Sequence, residues 1–488
     1  MRAKILEGHN QPPCSPASYI GRPSIDLRMQ RPPSATYPLI VLTTLFFTWG
    51  FMTVMNDVLI PHLRGVFPHM PWWQTLLVNF CFFGAYFVGS LAYYLRSLGG
   101  VDPIAHFGYK RAVIAGLLVS ALGTALFVPA TYANIFGFYL FALFVLGLGF
   151  TLLQIAANPF VAIIGDPAGA SSRLNMAQAF NSLGTTLAPI IGGALIFSVF
   201  KGVDAVRWPY AAFTALLLLQ ALWVYSTALP EPPHLSAGKS NAWRHPQLRW
   251  GMVAIFCYVG AEVSVGSLLI NFLKLPSVMG MPEVSAKHYL SLYWGGAMTG
   301  RFLGALALSK DTSALKRYGG MLLLGAAMYA LLVAVNTSAQ YGWEHAWPMA
   351  ILIAANFLAF VVAGPRPSRA LALFALAAIG LLGMVIVADG AWAMWAIVAI
   401  GLFNSIMWSN IFTLAIDGLG NDTSQGSSLL VMMIVGGALV PPLQGAIIDL
   451  MKTTADPGRG FAPSFLLPLL CYAFLAWYGF RGSSRNAA

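Results

Sequence analysis

Two stretches of this sequence set uncharged amides inside apolar runs. In LLQIAANPF (152–160), Gln154 and Asn158 stand four apart and share one helix face with Thr151. In SSRLNMAQAFNSLGTTLAP (171–189), Asn175, Gln178 and Asn181 recur every third residue, again on one face. An amide offers both donor and acceptor, so it suits the hydroxyls of a neutral solute. Left unsatisfied in hydrocarbon, each costs several kcal/mol. Such amides either join helices to one another or line a wet cavity. Five on two adjacent runs, with hardly any charge among them, favour a cavity for a neutral, hydroxyl-rich solute.

The acids well inside apolar runs are Asp57 and Glu262. An ionised acid at a helix centre costs about 2.5–3.5 kcal/mol on insertion scales, so its presence asks for a reason. Asp57 reads as a proton site that loads on one side and releases on the other. The plainer reading is a helix-end acid reaching the outer interface, since Pro61 and His62 follow. Trp49, Gly50 and Thr53 share its face, placing an indole for sugar stacking below the carboxylate, and Asn56 adjoins it. Glu262 follows Tyr258 by four residues. It is either a second titrating or sodium-binding site, or a partner for Arg301, the basic residue within a span. The expected sugar contacts are Trp49, Asn56, Gln154, Asn158, Gln178 and Asn181 from the first half, with Asn404, Trp408 and Gln444 from the second. Most of the 14 Trp are better explained as belt or packing residues, so Trp408 alone says little. Pro159, Pro189, Pro441 and Pro442 are the expected kinks, and the paired glycines are close helix contacts.

The elements that must carry these residues are membrane helices. Of 488 residues, 58% are hydrophobic and only 9% charged, with a mean hydropathy of +0.72. Soluble globular domains are not built this way; all-α polytopic membrane proteins are. The net charge of +11 does not signal nucleic acid, because the basic residues sit in short loops between apolar runs. Cys14, Cys81, Cys257 and Cys471 are scattered without CxxC or Cys/His spacing, so neither a disulfide framework nor a metal site or cofactor is indicated.

Fourteen candidate spans lie near 38–60, 74–96, 111–130, 135–164, 172–200, 207–229, 249–273, 286–309, 319–336, 345–363, 371–389, 391–416, 427–449 and 461–480. Residues 1–36 are polar and proline-rich with no apolar h-region, so they read as a disordered cytoplasmic tail, within which Met29 is an alternative start. With that tail inside, nineteen of the 27 Lys and Arg fall on its side and seven outside. The bias predicts both termini in the cytoplasm. FGAYFVG (83–89) matches WGGAMTG (294–300) at an offset of 211 residues, and Gly149, Asn158 and Phe160 match Gly401, Asn410 and Phe412 at 252. Each later span is followed by a polar loop reaching a Ser-Ser pair, Ser171-Ser172 and Ser427-Ser428. An internal repeat marks transporter architecture, and the growing offset is that of two inserted spans. The expected organisation is a six-helix bundle over 37–229, a cytoplasmic linker over 230–248, a second bundle over 249–480 with an extra helix pair near 319–363, and a cytoplasmic tail over 481–488.

Eight blocks carry a family resemblance. They are WGFMTVMNDVLIPHL (49–63), NFCFFGAYFVGSLAYYL (79–95), LLQIAANPFVAIIG (152–165), SSRLNMAQAFNSLGTTLAPIIGG (171–193), YVGAEVSVGSLLINFL (258–273), YWGGAMTGRFLG (293–304), GLFNSIMWSNIFTLAI (401–416) and GSSLLVMMIVGGALVPPLQG (426–445). In that order they resemble the glucose/galactose transporter branch of the major facilitator superfamily, which also holds the L-fucose/proton symporters. The resemblance implies a two-bundle, alternating-access fold with a twelve-helix core. It also implies a sugar bound between the halves near the midplane and uptake driven by protons or, in some members, sodium. Asp57 matches the first-helix acid of the fucose symporters, whereas Gln154 stands where their second acid lies, as in the glucose/galactose branch. The loop SLGGVDPIAHFGYKR (97–111) is longer than the superfamily's usual signature but keeps its basic end.

The expected function is therefore uptake of a neutral hexose with protons, by a monomer in the inner membrane whose partners are sugar, cation (H+ or Na+) and lipid. Rival substrates are an N-acetylhexosamine or fucose. A fourteen-span drug/proton exporter would line its cavity with aromatics and acids rather than amides. A membrane-embedded enzyme would need clustered His, Asp or Glu in a loop, and none is present in the sequence. A transporter-like sugar sensor is the remaining alternative.

Overall fold

The computed structural model describes residues 36–67, 72–99, 102–200, 204–230, 241–309, 313–336, 343–451, 453 and 458–483. The N-terminal tail, most of the linker, the last residues, and the side chains of Asn56 and Asp57 lie outside the described residues.

The described chain is all helical. In order it forms α1 (Thr36–Val66), α2 (Trp72–Leu98), α3 (Pro103–Phe107), α4 (Tyr109–Ala125), α5 (Phe127–Ala133), α6 (Phe136–Ile163), α7 (Ala170–Ala194) and α8 (Asp204–Ser226). The second half adds α9 (Pro246–Leu273), α10 (Glu283–Ala307), α11 (Ala314–Asn336), α12 (Trp343–Ala363) and α13 (Pro367–Val387). It closes with α14 (Gly390–Asn404), α15 (Met407–Ile416), α16 (Thr423–Met432), α17 (Gly436–Met451), α18 (Phe461–Ser464) and α19 (Leu466–Trp477). Among the described residues, eleven segments are long and apolar enough to cross a membrane. Of the longer helices, α2, α7 and α10 fall outside that set. α7 and α10 are also the helices that hold the Asn175, Gln178 and Asn181 row and Arg301.

Helix pairings recur in the two halves. α1 packs along α7, α2 along α6, and α4 against both α6 and α8. In the second half α9 packs along α17, α10 along α14, and α13 against both α14 and α19. The same offsets that align the sequence motifs align these pairings. Close backbone approach is what the glycines permit: a Cβ at Gly50 would overlap the Asn181 carbonyl, one at Gly184 the Phe47 carbonyl, and one at Gly401 the Tyr293 carbonyl.

α11 and α12 stand outside this scheme. They pack on each other and on α10, and α12 also touches α13 and α14. Only 22% of the α11 span is buried, against 89% of the span formed by α14 and α15, which gives the pair a broad lipid-type surface. The expected prolines sit inside helices, Pro159 in α6 and Pro441 and Pro442 in α17. The interruption between Asn404 and Met407 has no proline at all.

Candidate functional site

The amides of the first half form a chain from α6 to α7, and Trp49 of α1 meets Tyr86 of α2. Trp49 Nε1 donates to the Tyr86 hydroxyl at 3.2 Å, while Thr53 donates to the Trp49 carbonyl at 2.8 Å. Gln154 is buried, yet among the described residues no partner reaches its Oε1. A buried acceptor in that state costs about 1–3 kcal/mol, which a bound hydroxyl would recover. Asn158 donates to the Gln154 carbonyl at 2.9 Å and receives Gln178 Nε2 at 3.5 Å. Asn181 is half-buried, and its Nδ2 holds the Phe46 carbonyl of α1 at 3.0 Å. The amide row thus serves both readings: Asn181 joins helices, while Gln154 keeps an acceptor open.

The second half builds a denser network. Tyr258 donates to Glu262 Oε1 at 2.7 Å, and Arg301 pairs with the same oxygen at 3.6 Å. Asn404 is fully enclosed: its Oδ1 accepts from Tyr472 at 2.6 Å, its Nδ2 donates to Tyr293 at 2.9 Å, and its carbonyl accepts from Tyr258 at 3.2 Å. Arg301 also donates to the Ser405 carbonyl at 3.0 Å and, across to the first half, to the Ser182 hydroxyl. That guanidinium directly links the second group to α7, where Ser182 follows Asn181. The other contacts expected from this half are Trp408 and Gln444. Trp408 stacks on Phe412 with centroids 5.1 Å apart, and Gln444 donates to Ser464 at 3.1 Å, while Gln444 Oε1 has no partner among the described residues.

At the end where α2 finishes and α7 and α16 begin, the halves are closed on each other. Ser171 and Thr413 share a hydrogen bond of 2.7 Å, Ser172 donates to the Ala305 carbonyl at 2.5 Å, and Asn175 donates to Asn410 Oδ1 at 3.1 Å. Gln425, fully buried, donates to Ser97 at 2.8 Å and accepts from the Ala242 amide at 2.6 Å. Asp422 holds the end of the linker through the Asn241 amide, Arg244 and His245. Asn175 therefore belongs to this closure rather than to the amide cluster. Sequence spacing missed Tyr86, Tyr293, Tyr472, Ser182, Ser97 and Gln425. Of the Ser-Ser pairs, noted only as repeat markers, Ser171-Ser172 forms part of the closure itself.

The pairing scheme, the polar centre and the one closed end fit a family model. The Major Facilitator Superfamily model matches residues 101–365. The chain belongs to that superfamily. It is 42% identical over 458 residues to the glucose/galactose transporter of Brucella abortus, covering 92% of this chain and 94% of that one. That places it in the glucose/galactose transporter branch. The L-fucose-proton symporter of Escherichia coli is 28% identical over 469 residues, covering 90% of this chain and 91% of the relative. The solved structure of that fucose symporter in the outward conformation superposes with a TM-score of 0.70 at 26% identity, over 92% of this chain and 99% of that one. Members of this superfamily are transporters, and the chain is a multi-pass membrane protein rather than an enzyme.

Proposed function

We propose that this protein takes up a neutral hexose of the glucose/galactose type together with protons, by alternating access across the inner membrane. The carrying observation is the division of the polar centre. An acceptor is left open at Gln154 on one side, while a charged pair, Glu262 and Arg301, is tied into the other. The names of the relatives supply the substrate class, and the amide chemistry agrees with it.

In this reading fourteen segments cross the bilayer: a twelve-helix core in two bundles plus the pair α11–α12. Both termini are cytoplasmic and the working unit is a monomer. The closed end is then the cytoplasmic gate, and the state is outward-facing. A proton reaching Glu262 from outside cancels its charge and loosens Arg301, which is also bonded to Ser182 of the first half. Asp57 is the second candidate for proton loading. Sugar bridging the halves then compensates for the gate bonds that must break. Each of those is worth about 0.5–1.5 kcal/mol, so the gate as a whole is a barrier that binding energy can offset. One proton moving down ~100 mV releases ~2.3 kcal/mol, enough for roughly 50-fold accumulation.

The test is uptake by right-side-out vesicles of labelled glucose, galactose, fucose and N-acetylglucosamine under an imposed proton or sodium gradient. Accumulation of glucose or galactose under the proton gradient is the expected outcome. Accumulation only under sodium, or only of another sugar, would replace the coupling ion or the substrate. No accumulation of any would return the sensor and exporter readings.

A further inference from the structure

The residues that α12 sends inward converge on the interruption between α14 and α15. Breaking a helix frees carbonyls, and in a membrane interior these need donors. Here three carbonyls find them through side chains. The Leu402 carbonyl takes Asn356 Nδ2 of α12 at 3.1 Å and the Ser405 hydroxyl at 2.6 Å. The Asn404 carbonyl takes Tyr258 of α9 at 3.2 Å, and the Ser405 carbonyl takes Arg301 of α10 at 3.0 Å. Tyr258 and Arg301 are the two groups that also hold Glu262.

Asn356 is fully buried, and its neighbours on α12 seal the same seam. The Met349 methyl would lie 2.9 Å from a Cβ at Gly296, and the Phe360 ring 3.3 Å from one at Gly304. Gly296, Gly300 and Gly304, four apart, let α10 lie directly on the interruption; a Cβ at Gly300 would collide with Ser405 and approach the Leu402 carbonyl. The Ser405 hydroxyl bonds within its own turn, so it satisfies the carbonyl without fixing the turn in space. Asn356 comes from another helix and does fix it.

We propose that the pair α11–α12 braces the α14–α15 interruption, with Asn356 as a positioning residue for the Glu262 network. Asn356 touches no substrate. It holds the Leu402 carbonyl, so that Asn404, Tyr258 and Arg301 meet Glu262 in one geometry. The inference rests on the symporter reading for its functional consequence, though not for its structural one.

The experiment compares wild type, Asn356→Leu, Ser405→Ala and the double variant in proteoliposomes. An interhelical hydrogen bond in a membrane protein is worth roughly a three- to tenfold change in an equilibrium. Asn356→Leu should therefore lower proton-driven sugar accumulation about three- to tenfold, while sugar exchange at equal concentrations stays within about twofold. The double variant, which strips both side-chain donors from one carbonyl, should lose more than the product of the single effects. Unchanged accumulation, equal loss of accumulation and exchange, or effects that simply multiply would each overturn the proposal. Asn356→Ala, which removes the donor without added bulk, supplies a transport-free arm: backbone hydrogen exchange over 405–410 should quicken in detergent, and unchanged exchange would overturn the brace. If wild type accumulates no sugar, the symporter reading fails, and the exchange arm still decides the brace.

Discussion

The two halves share a pairing scheme but differ at the centre of the molecule. The first half presents the linked amides Gln154, Asn158 and Gln178, and Gln154 keeps an acceptor open. The second half is more densely bonded at its centre: the functional groups of Asn404 are taken up by Tyr258, Tyr293 and Tyr472, and Glu262 is held by Tyr258 and Arg301. Arg301 also reaches Ser182 of the first half, and Gln444 Oε1 finds no partner among the described residues. A group with an open valence can bind a solute, whereas a satisfied network can register a change of charge. The difference points to sugar recognition weighted to the first half and coupling weighted to the second.

The largest expected effect comes from cutting the charged pair on one side. Arg301→Met leaves Glu262 buried without its cation, at a cost of about 3–5 kcal/mol, and should lower Tm markedly in detergent as well as abolish uptake. Adding Glu262→Gln to it should restore most of the lost Tm; a double variant as unstable as the single would show that the pair is not the reason. Next in size, Glu262→Gln alone should lose gradient-driven accumulation while retaining sugar exchange. Retained accumulation would move coupling to Asp57, where Asp57→Asn becomes the variant to build.

Smaller effects should fall on the first half. Gln154→Ala removes the open acceptor, so sugar affinity should weaken by roughly 10- to 100-fold with coupling per transported sugar unchanged, measured as KM and as protons per sugar. An unchanged KM would assign sugar recognition elsewhere. The smallest effect is expected at the gate. Gln425→Ala removes the bonds to Ser97 and to the linker and should shift the resting population toward the inward-facing state by a few-fold, read from the labelling rate of a cysteine placed near the closed end. Slower opening of that end would contradict the gate assignment.

Much of this was legible in the sequence, for identifiable reasons. Helix-length apolar runs and the two motif offsets carry the fold, because bilayer thickness and internal repetition leave direct marks. The linked amides Gln154, Asn158 and Gln178 were legible because amides stand out against hydrocarbon, and the Glu262–Arg301 pair because charges do. The interruption after Asn404 was not legible, since no proline marks it and its donors arrive from α9, α10 and α12. Tyr293 and Tyr472 were missed because an aromatic in a membrane helix ordinarily means packing or belt. The Ser97 to Gln425 bond joins residues 328 apart, a distance over which spacing carries no signal. Trp408 stacks on Phe412 and Gln444 donates to Ser464, neighbours that sequence spacing does not indicate.

The most direct measurement is sugar-driven proton movement in proteoliposomes carrying an internal pH indicator, with wild type and Glu262→Gln side by side. The account predicts that adding glucose or galactose outside acidifies the wild-type lumen, and that the variant admits the sugar without acidification. Sugar entry without proton movement in wild type, or equal acidification by the variant, would contradict it.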